Sequence, residues 1–320
     1  GDIGGTHTRL ALFGSGSREP TSLTTYASED HHGLPEMVQA FVAAHPAEVD
    51  AAAFGVAGPV VDGKTETVNL AWPVDDAEMA STLSLDEDKV TLLNDLEANA
   101  WGIAWLDDDD LAIVNAGDPD AVGNQAVISA GTGLGQAGLA WDGTAHHVFA
   151  TEGGHADFAP GDELQDDLLA FLRAELGHVS WERVCSGMGL VNIERFLRAR
   201  AGTPGPEWSA GGRDAAAAIS EAAIAHTDPI ADQALDLLVD IYGCQAGNLA
   251  LTLMATGGVF VGGGIAPKIL PRLTDGRFLN AFAGKGRFDH LLHKIPVKVI
   301  LNDLTALLGA ARRAAHALRA

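Results

Sequence analysis

Twice in this chain a Gly-Thr turn stands between two stretches that read as strands, at "GDIGGT" and again at "SAGTGLG", Ser129 to Gly135, and each opens a similar succession of strands and helices. After the first, "THTRLALF" and "SLTTYA" form a hairpin across "GSGSREP". A helix at about Leu34 to Ala44 follows, then the strand "AAAFGVAG", a second hairpin around Asp62–Gly63, a short helix near Asp75 to Leu83 and the strand Val90 to Leu93. Past the acidic run Asp107 to Asp110 the pattern restarts with "LAIVNAG", "NQAVISAGTGLGQAGLAW" and "HHVFATEGG". Helices are expected at about Gln165 to Leu176, Gly189 to Arg200, Arg213 to His226 and Pro229 to Met254, then the strands "VFVGG" and "VKVILN" and a helix from Thr305. Hairpins followed by alternating helix and strand predict mixed sheets with helices packed against them, and the repetition predicts a duplicated α/β fold with a cleft between its halves. Four acids at a helix C-terminus oppose the helix dipole, so Asp107 to Asp110 reads as a solvated connector.

At 320 residues and 47% hydrophobic content the chain has enough for about two ordinary cores. Its 43 acids against 20 Lys plus Arg, a formal charge of −23, exclude a nucleic-acid or anionic-membrane surface, which needs basic patches. Any phosphate it binds is therefore held mainly by backbone amides, helix ends and metal ions. Cys185 and Cys244 lie in helix-like segments, form no spaced framework and read as core thiols of a reducing compartment. The histidines make no HExxH arrangement, so no protein-held metal is expected. The uncharged stretch Tyr242 to Pro267 is long enough to raise a membrane question, but its glycines divide it into helix, turn and strand. No signal peptide is recognised, and the chain opens at Gly1 where a strand should already be running, so a few residues are expected to precede it.

In "KVTLLNDLEANAWGI" the strand breaks at Asn94 and Asp95, just before an amphipathic helix to about Trp105. Either residue could cap that helix; alternatively the pair faces a ligand, since ligands of open α/β sheets bind beyond the carboxyl ends of the strands. The Gly-Thr turns, and "VGGGIAP" at Val261 to Pro267, are either tight turns or places where bare backbone approaches a phosphate, purine or ribose. In "TEGGHADFAP", Glu152 and His155 have the chemistry to bridge polyol hydroxyls, or are structural. Glu182, in "GHVSWERVCSGMGL", is a surface acid or a third such group.

The ordered set GDIGGT, VAGPV, LLND, SAGTGLG, EGGHADFAP, GHVSxERVxSGxGLVN, GGVFVGGGIAP and GKGRF spans nearly the whole chain and closely resembles the bacterial glucokinase family, within the sugar kinase and actin-like ATPase superfamily. The resemblance implies two ribonuclease-H-like domains, residues 1–106 with 303–320 and residues 107–302, flanking an interdomain cleft. It implies a cytoplasmic, homodimeric enzyme that transfers the γ-phosphoryl group of ATP to the 6-hydroxyl of D-glucose, the first step of glycolysis. By position, Asn94, Asp95, Glu152, His155 and Glu182 would bind glucose, with Asp95 as the catalytic base. Gly1, Asp2, Ile3, Gly4, Gly5 and Thr6, together with Gly131, Thr132, Gly133, Gly135, Gly263 and Gly264, would hold ATP. Mg²⁺ would arrive with the nucleotide, with Asp2 acting through metal-bound water. His7, Thr8 and Met188 depart from residues common in the family, and the Cys-rich zinc segment of the repressor and kinase relatives is absent, which favours the zinc-free branch. A kinase of mannose, fructose or an N-acetylhexosamine stays open on sequence, as does ADP or polyphosphate as donor. A sugar-sensing regulator would need a DNA-binding arm, and a polymerising ATPase would have no use for the sugar ligands.

Overall fold

Every second side chain of Pro20–Ala27 is exposed, the period-two signature of a strand with one wet face, whereas Ala52–Val56 and Val90–Asn94 are buried almost throughout, as strands covered on both faces are. The computed structural model describes residues 1–65, 72–206 and 215–318, which fall into two units, Gly1–Asp109 with Asn302–Ala320 and Asp110–Leu301.

The chain enters the first unit as β1 (Asp2–Ile3), β2 (His7–Phe13), β3 (Pro20–Ala27), α1 (Leu34–Ala44) and β4 (Ala52–Val56). Then come β5 (Val60–Val61), β6 (Lys64–Thr65), β7 (Val74–Asp75), α2 (Asp76–Leu83), β8 (Val90–Asn94) and α3 (Asp95–Gly102). Five strands make a mixed sheet in the order β3-β2-β1-β4-β8, antiparallel from β3 to β1 and parallel from β1 to β8; β5, β6 and β7 make a small separate sheet. The hairpin around Asp62–Gly63 turns with both residues at positive φ, 50° and 73°, the type I′ geometry that suits the twist of the paired strands.

The second unit holds β9 (Leu111–Asn115), β10 (Gln125–Ala130), β11 (Leu134–Trp141), β12 (His146–Thr151), α4 (Glu163–Leu176), α5 (Gly187–Ala201), α6 (Ala215–Ile224) and α7 (Pro229–Leu253). It continues with β13 (Gly258–Gly262), the short helices α8 (Leu270–Leu273), α9 (Arg277–Ala283) and α10 (Asp289–Leu292), and β14 (Val297–Ile300). Its six strands form one mixed sheet, β12-β11-β10-β13-β14-β9. The chain returns to the first unit as α11 (Thr305–Ala317).

Most helix ends fall within a residue or two of expectation because the caps are explicit: Asp228 accepts from Ile230 and Ala231 N–H, and Pro229 follows at the first helical position. The first two residues expected in α6, 213 and 214, lie outside the described residues. Two local expectations are corrected. Cys185 is in no helix; it sits, fully buried, in the bend between a 3₁₀ turn (Trp181–Arg183) and α5. The helix from Asp95 closes through a 3₁₀ turn at Ile103–Trp105, and Asp108–Asp110 form a 3₁₀ turn of their own. Among the described residues no helix is long and apolar enough to cross a membrane.

In the first unit α3 is pressed onto its neighbours at glycines. A Cβ on Gly55 of β4 would meet Ala98 Cβ at 2.7 Å; one on Gly102 would strike the Thr305 carbonyl, and one on Gly309 of α11 the Ala98 carbonyl. These contacts fix α3 against β4 and α11. Gly309→Ala is predicted to overpack that crossing at a cost of about 1–3 kcal/mol, seen as a lower melting temperature, whereas Gly14→Ala, whose Cβ meets nothing closer than 4.0 Å, should melt as the parent does. An unchanged melt for Gly309→Ala would show that the two helices separate freely.

Candidate active site

The last residue of β8 is also the cap of α3. Asn94 Oδ1 accepts from Leu96 N–H at 2.8 Å, and the Glu97 carboxylate reaches back to Asn94 N–H at 3.1 Å, a reciprocal capping box. Asn94 Nδ2 donates to Gly58 O at 2.9 Å, and the residue is only 8% exposed. Asp95 therefore occupies the first helical position rather than the cap; it is partly buried, and its Oδ1 accepts from Leu96 N–H at 2.9 Å. In the parallel register Ile3 pairs with Val56 and Val56 with Asn94, so β1, β4 and β8 end level. The Gly4–Thr6 turn thus leaves the same sheet edge as Asp95, two strand spacings or roughly 10 Å away.

That turn is held from below. Gly4 N–H donates to His7 O, Ser28 Oγ to Gly4 O at 2.7 Å and Ser28 N–H to Thr6 O, while Gly5 and Thr6 are exposed. Asp2 lies under it. Burial pushes the Asp2 carboxyl above its usual range; the Arg9 guanidinium pulls it down, and Asp303, which Arg9 also binds at 3.0 Å, pushes it up.

The second unit repeats the device. β10 and β13 are parallel with Ser129 opposite Gly262, so the turns that follow them, Gly131–Gly133 and Gly263–Gly264, meet around the Ala130 carbonyl. Ile265 N–H donates to that carbonyl at 3.2 Å, and a Cβ on Gly263, whose φ is +84°, would collide with it. Only glycine fits there. The buried Tyr242 hydroxyl accepts from Ala130 N–H and lies 3.2 Å from the carbonyls of Ile128 and Gly262, tying the two strand ends together.

Beside these turns stand three side chains from two 3₁₀ turns, Glu152 and His155 from one and Glu182 from the other. His155, in a 3₁₀ turn after β12, has Nε2 at 3.6 Å from Glu152 Oε2 and Nδ1 at 3.9 Å from Glu182 Oε1. Both separations exceed a direct hydrogen bond, and hydroxyls, which donate and accept at once, are groups that can bridge such pairs. Glu182 Oε2 accepts from Leu134 N–H at 3.0 Å and lies against Gly133. The segment after it adds Gly187 N–H, the first residue of α5, donating to Gly131 O at 2.9 Å. Glu182 thus stands beside His155 on one side and is hydrogen-bonded to the glycine turn of this unit on the other.

Residues 1–317 of the chain match the family model described as Glucokinase. The chain belongs to the glucokinase family. A glucokinase of a Nostoc species is 44% identical to it, over 99% of this chain and 98% of that protein. The crystal structure of a glucokinase from an Antarctic psychrotroph shares 31% identity and superposes with a TM-score of 0.86, over 98% of this chain and 97% of the other. A ROK family glucokinase from Streptomyces griseus, solved with glucose and AMPPNP, shares the fold at 23% identity, with a TM-score of 0.66 over 97% of this chain and 96% of that one. The fold is the mixed α/β, actin-like ATPase fold of the sugar kinases, and the family's activity is phosphoryl transfer.

For a member of this family, the structure brings together Glu152, His155 and Glu182 in one unit, and Asn94, Asp95 and the Gly4–Thr6 turn at one sheet edge in the other. Sequence reading did not find Ser28, Tyr242 or the Arg9–Asp303 pair, which work by supporting backbone at a distance in sequence. Only Tyr242 left a trace, as a hydroxyl inside a largely apolar helix face.

The raised Asp2 carboxyl carries a sign. Its folded pKa lies above the unfolded value, so its ionised form carries a stability cost that first appears as pH rises past the unfolded pKa and is complete once pH exceeds the folded one. Asp2→Asn is therefore predicted to melt higher than the parent at pH 7 while turning over more slowly. A lower melt would show that the Arg9 attraction outweighs burial.

Proposed function

We propose that the chain transfers the γ-phosphoryl group of ATP to the 6-hydroxyl of D-glucose, in the cytoplasm, with Asp95 as general base. The observation that carries this is the division of work at the end of β8: Asn94 and Glu97 meet the capping need of α3, so the carboxylate of Asp95 is not required as its cap. A carboxylate on a rigid strand end orients a hydroxyl and takes its proton as the oxygen bonds to phosphorus. Asn94 and the Glu152, His155 and Glu182 cluster read the sugar's other hydroxyls.

Phosphoryl transfer needs chiefly positioning and charge neutralisation. Residues Gly1 to Thr6 offer the phosphates amides and the exposed Thr6 hydroxyl; Gly131, Thr132, Gly133 and Gly135 offer the same, and bare backbone at Gly263 and Gly264 suits a purine or ribose. The partly buried Asp2 carboxyl is pushed above its usual range by desolvation, and a nearby cation would relieve it. That fits Mg²⁺ carried in by the nucleotide, where it would neutralise phosphate charge, with Asp2 acting through its water shell.

A coupled assay of ADP release tests the proposal. Release should depend on glucose, with kcat/KM higher for glucose than for mannose, fructose or N-acetylglucosamine; no glucose-dependent release, or a preference for another hexose, contradicts it. Glu152→Gln and His155→Ala should each raise the glucose KM by roughly tenfold or more, the size expected when a charged or polar hydrogen-bond partner of a bound hydroxyl is lost, while the ATP KM moves little. Equal shifts in both KM values would reassign the cluster.

A further inference from the structure

Along β11 the side chains of Leu134, Gln136 and Gly138 share a face with Ala130, Ile128 and Ala126 of β10, which they oppose in register, and that face is the floor of the second unit's core. Gln136 is the polar residue among them. It is 2% exposed, and its buried Nε2 has no hydrogen-bond partner among the described residues. A buried amide donor without an acceptor costs stability that an apolar side chain would not, so a purely space-filling role does not account for glutamine here.

Its other neighbours show what the side chain holds. Opposite Gln136 on β12 stands Thr151, whose Oγ1 accepts from Gly153 N–H at 3.1 Å. Gly153 begins the 3₁₀ turn that carries His155, closed by His155 N–H donating to Glu152 O at 3.0 Å. The Gln136 carboxamide lies against Gly153: a Cβ there would collide with Gln136 Oε1 and come within 3.2 Å of its Cδ. At the next position a Cβ on Gly154 would collide with the Leu134 carbonyl. The turn that presents Glu152 and His155 therefore rests on β11 at two points, one of them main chain and the other the end of the Gln136 side chain.

We propose that Gln136 is a positioning residue for glucose: its carboxamide sets the height of the Glu152–His155 turn above β11, and so the affinity for the sugar. This rests on the assignment of Glu152 and His155 as sugar ligands. Because Gln136 acts through Gly153, its effect should appear in sugar binding and not in nucleotide binding.

Calorimetric dissociation constants for glucose and for a non-hydrolysable ATP analogue test it, since they are independent of the fraction of protein folded, which appears in the stoichiometry instead. Gln136→Ala should weaken glucose binding by roughly tenfold and leave the analogue within about twofold; Gly153→Ala should weaken glucose as well. In the double variant, removing the carboxamide makes room for the new Cβ, so glucose binding should be tighter than the product of the two single losses predicts. Gly154→Ala, which meets main chain, should gain no such relief from Gln136→Ala. Strictly multiplicative losses, or an unchanged glucose constant in Gln136→Ala, would overturn the proposal. If Glu152→Gln and His155→Ala bind glucose as the parent does, the ligand assignment falls and this inference falls with it; if they lose glucose while the Gln136–Gly153 cycle is multiplicative, only the inference about Gln136 is wrong.

Discussion

The first turn of a helix leaves backbone N–H groups that must find acceptors, and at the end of β8 that obligation falls on Asn94, with Glu97 answering in return. Much of the first unit's chemistry depends on this arrangement. The capping box fixes the chain direction where strand becomes helix, and the glycine contacts of Gly55, Gly102 and Gly309 fix the helix itself against β4 and α11. The main chain that carries Asp95 is consequently fixed by the cap before it and by the helix contacts after it. Because β1, β4 and β8 end level, the same sheet edge also presents the Gly4–Thr6 turn.

In the second unit the corresponding pivot is the peptide of Ala130. Its N–H meets the Tyr242 hydroxyl and its carbonyl meets Ile265 N–H, so two glycine turns are anchored to a single backbone unit. Glu182 extends the assembly by binding Leu134 N–H with one carboxylate oxygen while the other faces His155. A carboxylate that stands beside His155 is thus hydrogen-bonded into the glycine turn.

What the sequence disclosed and what it hid divide along physical lines. Local chemistry was legible: a cap at Asn94 or Asp95, the Asp62–Gly63 turn, Pro229 opening α7, and glycine turns after strands all act through neighbours a few residues away. The fold class followed from the order of such elements. The Gly263 contact with Ala130, the Glu182 bond to Leu134 N–H and the Gln136 contact with Gly153 join residues between 17 and 133 positions apart, as their numbers show, and periodicity carries no record of them. Cys185 misled because the segment before it folds only as a single 3₁₀ turn, Trp181–Arg183, and α5 begins only after Ser186, which caps it by accepting from Gly189 N–H at 3.0 Å. The family resemblance supplied roles for residues that local patterns left open.

The account turns on Asp95 being a base rather than a cap, and Asp95→Asn separates the two. Asparagine and aspartate are nearly equal at helix starts, and the first-turn dipole is worth about 0.3–1 kcal/mol, so folding and calorimetric glucose binding should change little. Loss of a general base costs on the order of 10²- to 10⁴-fold in rate, or roughly 3–5.5 kcal/mol of barrier, far outside that range. The account predicts a folded, glucose-binding Asp95→Asn protein with kcat reduced by that factor; near-parental kcat in the same protein would contradict it.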